Sequence, residues 1–285
     1  MQGKEVPQVF DDESARSFFL ESVNRERAAA RLPPVRLEPD LDRFAGIRVA
    51  ELVASPSPAD PLVGDALHGR AKQAGYDAQF LSEMIVEAVG REPAAIASSW
   101  SPGYSARSLV VREDIRDLGI GIGHRSDGDL YVFLFALSKG DSFAEKTRGL
   151  ANRERLRSEM LTSVSAERRK ARRLPLRIDG RLERAAQRHA DDMLARGYYG
   201  HETPEGVGPR ERAAAAGYEG AGIGENLAQG QYSVEEVMDG WMKSPGHRRE
   251  LLEPSFSHVG FGFAHGRNGR GYQTYWVQLF GTPMR

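Results

Sequence analysis

The chain has 285 residues, 40% of them hydrophobic, with 39 Lys and Arg against 40 Asp and Glu and no cysteine. That length suits one or two domains, and that apolar share supports a packed core, which excludes wholesale disorder. Near-cancelling charge excludes a nucleic-acid or other polyanion partner, and the missing thiols exclude disulfides, thiolate nucleophiles, Cys-based zinc sites and iron–sulfur ligation. No apolar run approaches the length of a bilayer span. The opening residues lack an apolar stretch followed by a small-residue cleavage site, so the chain is either cytoplasmic or a mature exported form.

Residues 1–11 are expected to be an N-terminal tail. From there an internal repeat organises the chain. Val23 to Leu52 aligns without a gap on Val164 to Met193, an offset of 141 residues. Further landmarks recur in order: Ala74-Gly75-Tyr76 with Ala216-Gly217-Tyr218, Glu83 with Glu225, Trp100 with Trp241, Gly119-Ile120-Gly121-Ile122 with Gly260-Phe261-Gly262-Phe263, and Tyr131 to Phe135 with Trp276 to Phe280. The pattern predicts two copies of one domain, 12–138 and 139–285, packed on each other.

In the second copy the charged run ending near Leu161 is the opening helix. The basic cluster Arg168, Arg169, Lys170, Arg172 and Arg173 reads as a solvated face that offsets the helix dipole. Leu182, Ala185, Ala186, His189, Ala190 and Met193 follow the spacing of a one-sided helix, with Asp179 as N-cap and Gly197 as its end. His189, on that apolar stripe, reads as a core residue with one hydrogen bond. Shorter helices fit 209–216 and 234–242, the latter opened by Ser233 with Glu236 as a capping box. His258 to Ala264 and Tyr272 to Phe280 are strands joined by a hairpin loop at 266–271. Gly260 and Gly262 mark close passage of a strand against another element. Tyr76 and Tyr218 read as core anchors with their hydroxyls at the surface. Helices first and a terminal hairpin last predict an α+β domain, a small antiparallel sheet covered by helices.

Three polar motifs of the second copy are not demanded by propensity: Tyr199-Gly200-His201, Gly224-Glu225-Asn226-Leu227 and Ser244-Pro245-Gly246-His247-Arg248. Each is read as a loop beside Gly or Pro. Two imidazoles and a carboxylate are an ordinary ligand set for zinc or a similar divalent ion, and equally the usual groups for proton transfer. Spacings of 24 and 22 residues are too long for a local ligand signature, so the residue types alone carry this reading.

These motifs, with the helix ending His189-Ala190-Asp191-Asp192-Met193 and the closing Tyr275-Trp276-Val277-Gln278-Leu279-Phe280, resemble the CAP superfamily, which groups cysteine-rich secretory proteins, antigen 5 and pathogenesis-related 1 proteins. Within it the chain is similar to bacterial SCP-like extracellular proteins over 164–281. Copy one resembles a degenerate form of the same domain. The resemblance implies an α-β-α sandwich with a central cleft lined by two histidines and two acids that can hold a divalent metal such as zinc. His201, Glu225 and His247 match three of these. Ser244 stands where the remaining acid lies in eukaryotic members, which leaves the set incomplete. Asn226 and Ser244 are expected to support the ligands from behind.

The reading that follows is an exported, extracellular or periplasmic protein whose second cleft binds a divalent metal and an apolar or cell-envelope ligand, lipid or protein. A metal-assisted hydrolase of peptide or peptidoglycan, with Glu225 as general base, is the alternative. An adhesive module with no active cleft is the third. In copy one Tyr104 replaces His247 and Ala59-Asp60 aligns with His201, so that cleft is expected to lack the site.

Overall fold

The computed structural model describes residues 12–55, 60–88 and 92–284; the expected tail at 1–11 lies outside the described residues. The chain divides into two units, Met1–Ser142 and Phe143–Arg285. In the first, α1 (Asp12–Ala29), β1 (Arg36–Leu37), α2 (Pro39–Ala54) and α3 (Gly64–Gln73) precede β2 (Ala78–Ala88). The short α4 (Pro93–Ser98) and α5 (Arg107–Val110) lead to the hairpin of β3 (Asp117–Arg125) and β4 (Gly128–Ser138). The division falls inside α6 (Lys139–Thr147). The second unit runs α7 (Arg153–Lys170), β5 (Arg177–Ile178), α8 (Gly180–Arg196), α9 (Pro209–Ala215), β6 (Gly220–Gln229), α10 (Val234–Lys243), α11 (Pro245–Leu251), β7 (His258–Asn268) and β8 (Gly271–Pro283).

Each unit holds a four-stranded sheet of one topology, β1-β3-β4-β2 and β5-β7-β8-β6. The two-residue strand pairs in parallel and the rest are antiparallel. The inner strands β4 and β8 are buried on both faces, so apolar residues run along them instead of alternating: Leu130 to Leu137 without a break, and Tyr275 to Phe280 broken once, at the buried Gln278. On β8, Trp276 and Phe280 join the core with α7, α10 and α11, while Tyr275, Val277 and Leu279 join the core with α8 and α9. On β4, Tyr131, Phe133 and Phe135 face α1, and Leu130, Val132 and Leu134 face α2 and α3. The result is the expected α-β-α sandwich, built twice.

The glycines explain how tightly one helix lies on its strand. A Cβ on Gly260 would stand 2.2 Å from the Leu182 carbonyl carbon, and one on Gly262 2.2 Å from the Ala186 oxygen. Gly119 and Gly121 meet α2 in the same way, at Leu41 and Ala45. Only a residue without a side chain lets helix and strand backbones approach so closely. Helix α8 begins where expected: the Asp179 carboxylate accepts from the Arg181 N–H, and Gly197 closes it at φ +67°. The Ser233 side chain likewise accepts from the Glu236 N–H. The hairpin loop is shorter than the glycine pattern suggested, because β7 runs on to Asn268 and leaves Gly269 and Arg270 as the turn.

Arg168 corrects the sequence reading. It is not on a solvated face but fully buried, and its guanidinium donates to the carbonyls of Leu174, Leu251, Glu253 and Phe256 at 2.8–3.0 Å. Arg27 does the same in the first unit for Pro33, Val110, Arg112 and Ile115. A planar fork with five donors can satisfy several loop carbonyls that would otherwise be buried unpaired. Burial lowers the pKa of both guanidinia. Tyr76 also departs from expectation: its hydroxyl is inside, donating to the buried Asp117 at 2.7 Å.

Because the added methyl of Gly262→Ala has only helix backbone to push against, that change should lower the second unit's unfolding free energy in urea by about 2–3 kcal/mol. Gly269→Ala, with nothing within 4 Å, should stay within about 0.5 kcal/mol. Equal effects from the two would contradict the contact.

Candidate functional site

Glu225 sits on β6, an edge strand of the second sheet, opposite Leu279 of the central strand. Its side chain is 1% exposed. A carboxylate held there needs compensating donors, because an unpaired buried charge is strongly disfavoured. Both oxygens are taken. The His201 Nδ1 lies 2.9 Å from Oε1, and the Arg212 guanidinium donates to Oε2 at 2.5 Å. Arg212, from α9, also donates to the His201 and Val207 carbonyls at 2.7 and 2.9 Å. One arginine therefore neutralises the acid and pins the loop that carries the imidazole.

His201 comes from the segment between α8 and α9, and its side chain is 54% exposed. Nδ1 is committed to Glu225, which leaves Nε2 without a hydrogen-bond partner among the described residues. His189 holds the same segment from beneath: it is 1% exposed, and its Nε2 lies 3.0 Å from the Gly200 carbonyl oxygen. That is the core role expected of it. Burial lowers its pKa, favouring the neutral ring.

His247 approaches from the opposite helical layer. The Ser-Pro-Gly-His-Arg motif is not a loop: Pro245 opens α11, and His247 lies in its first turn. Likewise Gly224-Glu225-Asn226-Leu227 is strand, not loop. Asn226, one residue on from Glu225, points to the other face, as strand alternation requires. It donates to the His247 carbonyl and to the Gln278 side chain, both at 3.1 Å. Asn226 thus ties α11 to the edge strand. Ser244 is the cap residue between α10 and α11, and its carbonyl accepts from the Arg248 N–H. Among the described residues, no side-chain hydrogen bond joins Ser244 to the site.

The electrostatics divide the two imidazoles. The hydrogen bond to Glu225 raises the His201 pKa above the ordinary histidine value, against the opposing effect of burial. Burial and the charge of His201 lower that of His247. Two groups of one chemical type are thereby pushed toward opposite protonation states.

A divalent ion on His201, Glu225 and His247 does not fit this arrangement. Among the described residues no group of three or more His, Asp and Glu side chains is disposed to hold a metal. Glu225 already has the positive Arg212 on one oxygen and His201 on the other, so a cation would have to displace or oppose the guanidinium. Arg212 was absent from the sequence reading. The signal available was general: an acidic residue inside an apolar strand calls for a basic partner.

In the first unit Glu83 occupies the matching place on β2, opposite Leu134, and is likewise buried. Arg48, at the repeat position of His189, takes its Oε1 at 3.0 Å and the Asp60 carbonyl at 2.5 Å. The Leu62 N–H takes its Oε2 at 2.7 Å. Among the described residues no imidazole meets Glu83, and Tyr104, in the place of His247, is exposed. Arg48 and the Leu62 N–H between them take both oxygens of Glu83.

Because the Glu225 bond favours the protonated His201, that form contributes stability present below about pH 6.5 and lost as pH rises through its folded value. His247 has the opposite sign, losing its contribution as pH falls below about 6.5. In an NMR titration the His201 ring protons should titrate above those of His247, and Glu225→Gln should move His201 downward. Coincident titrations, or no response to Glu225→Gln, would contradict the pairing.

The family model described as "CAP: Cysteine-rich secretory protein family" matches residues 20–136 and again 156–280. Over 130 residues the chain is 34% identical to "Uncharacterized protein YkwD" of Bacillus subtilis (strain 168), a stretch covering 44% of this chain and 51% of that protein. Over 74 residues it is 28% identical to "Uncharacterized membrane protein YlbC" of the same organism, 26% of this chain and 21% of that one. The matches thus span about half or less of these relatives. An extracellular protein containing a SCP domain from Bacillus anthracis str. Ames superposes with a TM-score of 0.40 at 18% identity, covering 57% of this chain and 59% of that one.

Proposed function

The chain belongs to the CAP, or cysteine-rich secretory protein, family, and from that premise we propose that it is an exported protein whose second domain binds a cell-envelope ligand through the His201 cleft. The observation that carries this reading is the outward-facing imidazole of His201, 54% exposed and anchored through Nδ1 on a buried, charge-paired glutamate. An exposed ring fixed in this way loses little freedom when it meets a partner, which is the advantage of preorganised donors. Its raised pKa makes it a donor toward an anionic or carbonyl group in mildly acidic surroundings. His247, neutral at higher proton concentrations than an ordinary histidine, supplies an acceptor beside it. In this reading the charge of Arg212 does what a bound cation would otherwise do for Glu225, and the ligand is held without metal.

The split between the two imidazoles also favours a second reading, proton transfer, with protonated His201 as acid and neutral His247 as base on a peptide or peptidoglycan substrate. Glu225 would then position His201 and take no proton itself. This reading expects turnover on peptidoglycan fragments that falls at least about a hundredfold in His201→Ala. No turnover on such fragments leaves the binding reading alone.

Sedimentation with purified peptidoglycan sacculi and with vesicles of bacterial polar lipid tests the first reading. The intact chain should co-sediment with one of them, and the double variant His201→Ala/His247→Ala should bind at least about tenfold more weakly, the loss of one or two charge-assisted hydrogen bonds. EDTA should leave binding unchanged. Retention by the double variant would remove the cleft from the function, and loss on chelation would restore the metal.

A further inference from the structure

A second concavity lies on the other side of the second domain, at the β7 edge of the sheet and between α7 and α8. It has a volume of about 400 Å³, in the range of small-ligand pockets. Its floor is apolar: Leu156, Met160, Phe263 and Trp276 all line it. Its rim carries Arg153, Arg157 and Arg184 against one acid, Glu183. None of these residues belongs to the His201 site.

The backbone of β7 is open there. Val259 turns its carbonyl toward the edge, where the Asp179 N–H donates to it at 3.0 Å. Two pairs further on, Phe263 turns both its polar groups the same way, and the Gln187 side chain caps them: its amide donates to the carbonyl at 2.9 Å and its oxygen accepts from the N–H at 3.2 Å. By strand alternation Phe261, midway between them, also points its N–H and C=O outward. Neither group has a protein partner at the edge among the described residues.

The first domain shows what closes such an edge. At the repeat position of Phe261, the Ile120 N–H donates to Asp42 at 2.9 Å and the Ile120 carbonyl accepts from Arg16. Arg16 and Asp42 pair at 2.5 Å. Their counterparts in the second domain are Arg157 and Glu183. The glutamate is one methylene longer, the pair is loose at 3.5 Å, and neither side chain reaches Phe261. The device that plugs the first groove stands back from the second.

We propose that this groove binds an extended peptide ending in an apolar residue with a free C-terminal carboxylate. One residue of the peptide exchanges both backbone hydrogen bonds with Phe261, as in strand addition. Its apolar side chain settles on Met160, Phe263 and Trp276. Its carboxylate meets the arginine rim, where the guanidinia outnumber the acid. Arg153 and Arg157 stand 3.7 and 3.5 Å from their acidic neighbours, and the contact from Arg184 is to the Ala216 carbonyl at 3.3 Å, so each fork keeps donors for a ligand. A plain acyl chain would satisfy the floor and the rim but would cover the Phe261 N–H and C=O unpaired, which is what native structures avoid.

Fluorescence anisotropy of the full chain with a fluorescein-labelled pentapeptide ending in two apolar residues tests this. Saturable binding is expected, weakened at least about tenfold when the peptide carries a C-terminal amide. Glu183→Asp, which rebuilds the plug of the first domain with no change of charge, should weaken binding to a similar degree with an unchanged thermal melt. Arg157→Gln should weaken it without closing the edge. No binding of the acid peptide, equal binding of acid and amide, or full binding by Glu183→Asp would each overturn the proposal. Binding of dodecanoate with none of the peptide would assign the groove to acyl chains instead.

Discussion

A carboxylate buried on the edge strand sets the conditions for everything around it. Glu225 cannot remain charged at that position without donors on both oxygens, and the chain supplies them from two directions. Arg212 reaches in from a short helix, and the same guanidinium fixes the backbone of the segment that bears His201. The imidazole is therefore held by the acid, and the segment by the arginine that answers the acid. Asn226, forced by alternation to the reverse face, secures the layer that carries His247. Removing the charge at position 225 would loosen every one of these ties together.

The two domains solve one problem in two ways, which separates scaffold from function. The buried arginines Arg27 and Arg168, the glycine pairs under α2 and α8, and the buried glutamates Glu83 and Glu225 appear in both. These are requirements of the fold. What differs is what stands against the glutamate. In the first domain Arg48 satisfies it from the helix, and no imidazole is left to face a cleft. In the second, the shorter His189 at the same position meets the Gly200 carbonyl and the Tyr198 hydroxyl, and Glu225 is left for His201 and Arg212. The residue at one helical position thus differs together with the partners of the acid: an arginine stands on Glu83, and a histidine leaves Glu225 to His201 and Arg212.

Much of this was legible in the sequence where the signal is local. Caps, the one-sided stripe of α8, the glycines at strand–helix crossings and the core place of His189 follow from spacing and side-chain size. The repeat made the architecture legible twice over. What stayed hidden depended on long-range partners. Arg168 lay within a basic cluster, and charge runs usually point to solvent, so its burial under four carbonyls had no local mark. Arg212 looked like one more charge on a short helix. The Gly-Glu-Asn and Ser-Pro-Gly-His motifs looked like loops because glycine and proline dominate them. In the fold the glycine at 224 instead admits Phe256 and Glu250 against a strand, and Pro245 starts a helix. Two imidazoles and a carboxylate suggest a metal by residue type, and the counter-charge of Arg212 on Glu225 is a long-range partner that residue type does not show.

The account stands on Arg212 serving as the permanent counter-ion of Glu225. A crystal structure of the whole chain grown with excess zinc tests this most directly. The expected result is the guanidinium still seated on the Glu225 carboxylate, with no metal density between the two histidines. Zinc bound by His201, Glu225 and His247, with Arg212 swung away, would contradict it.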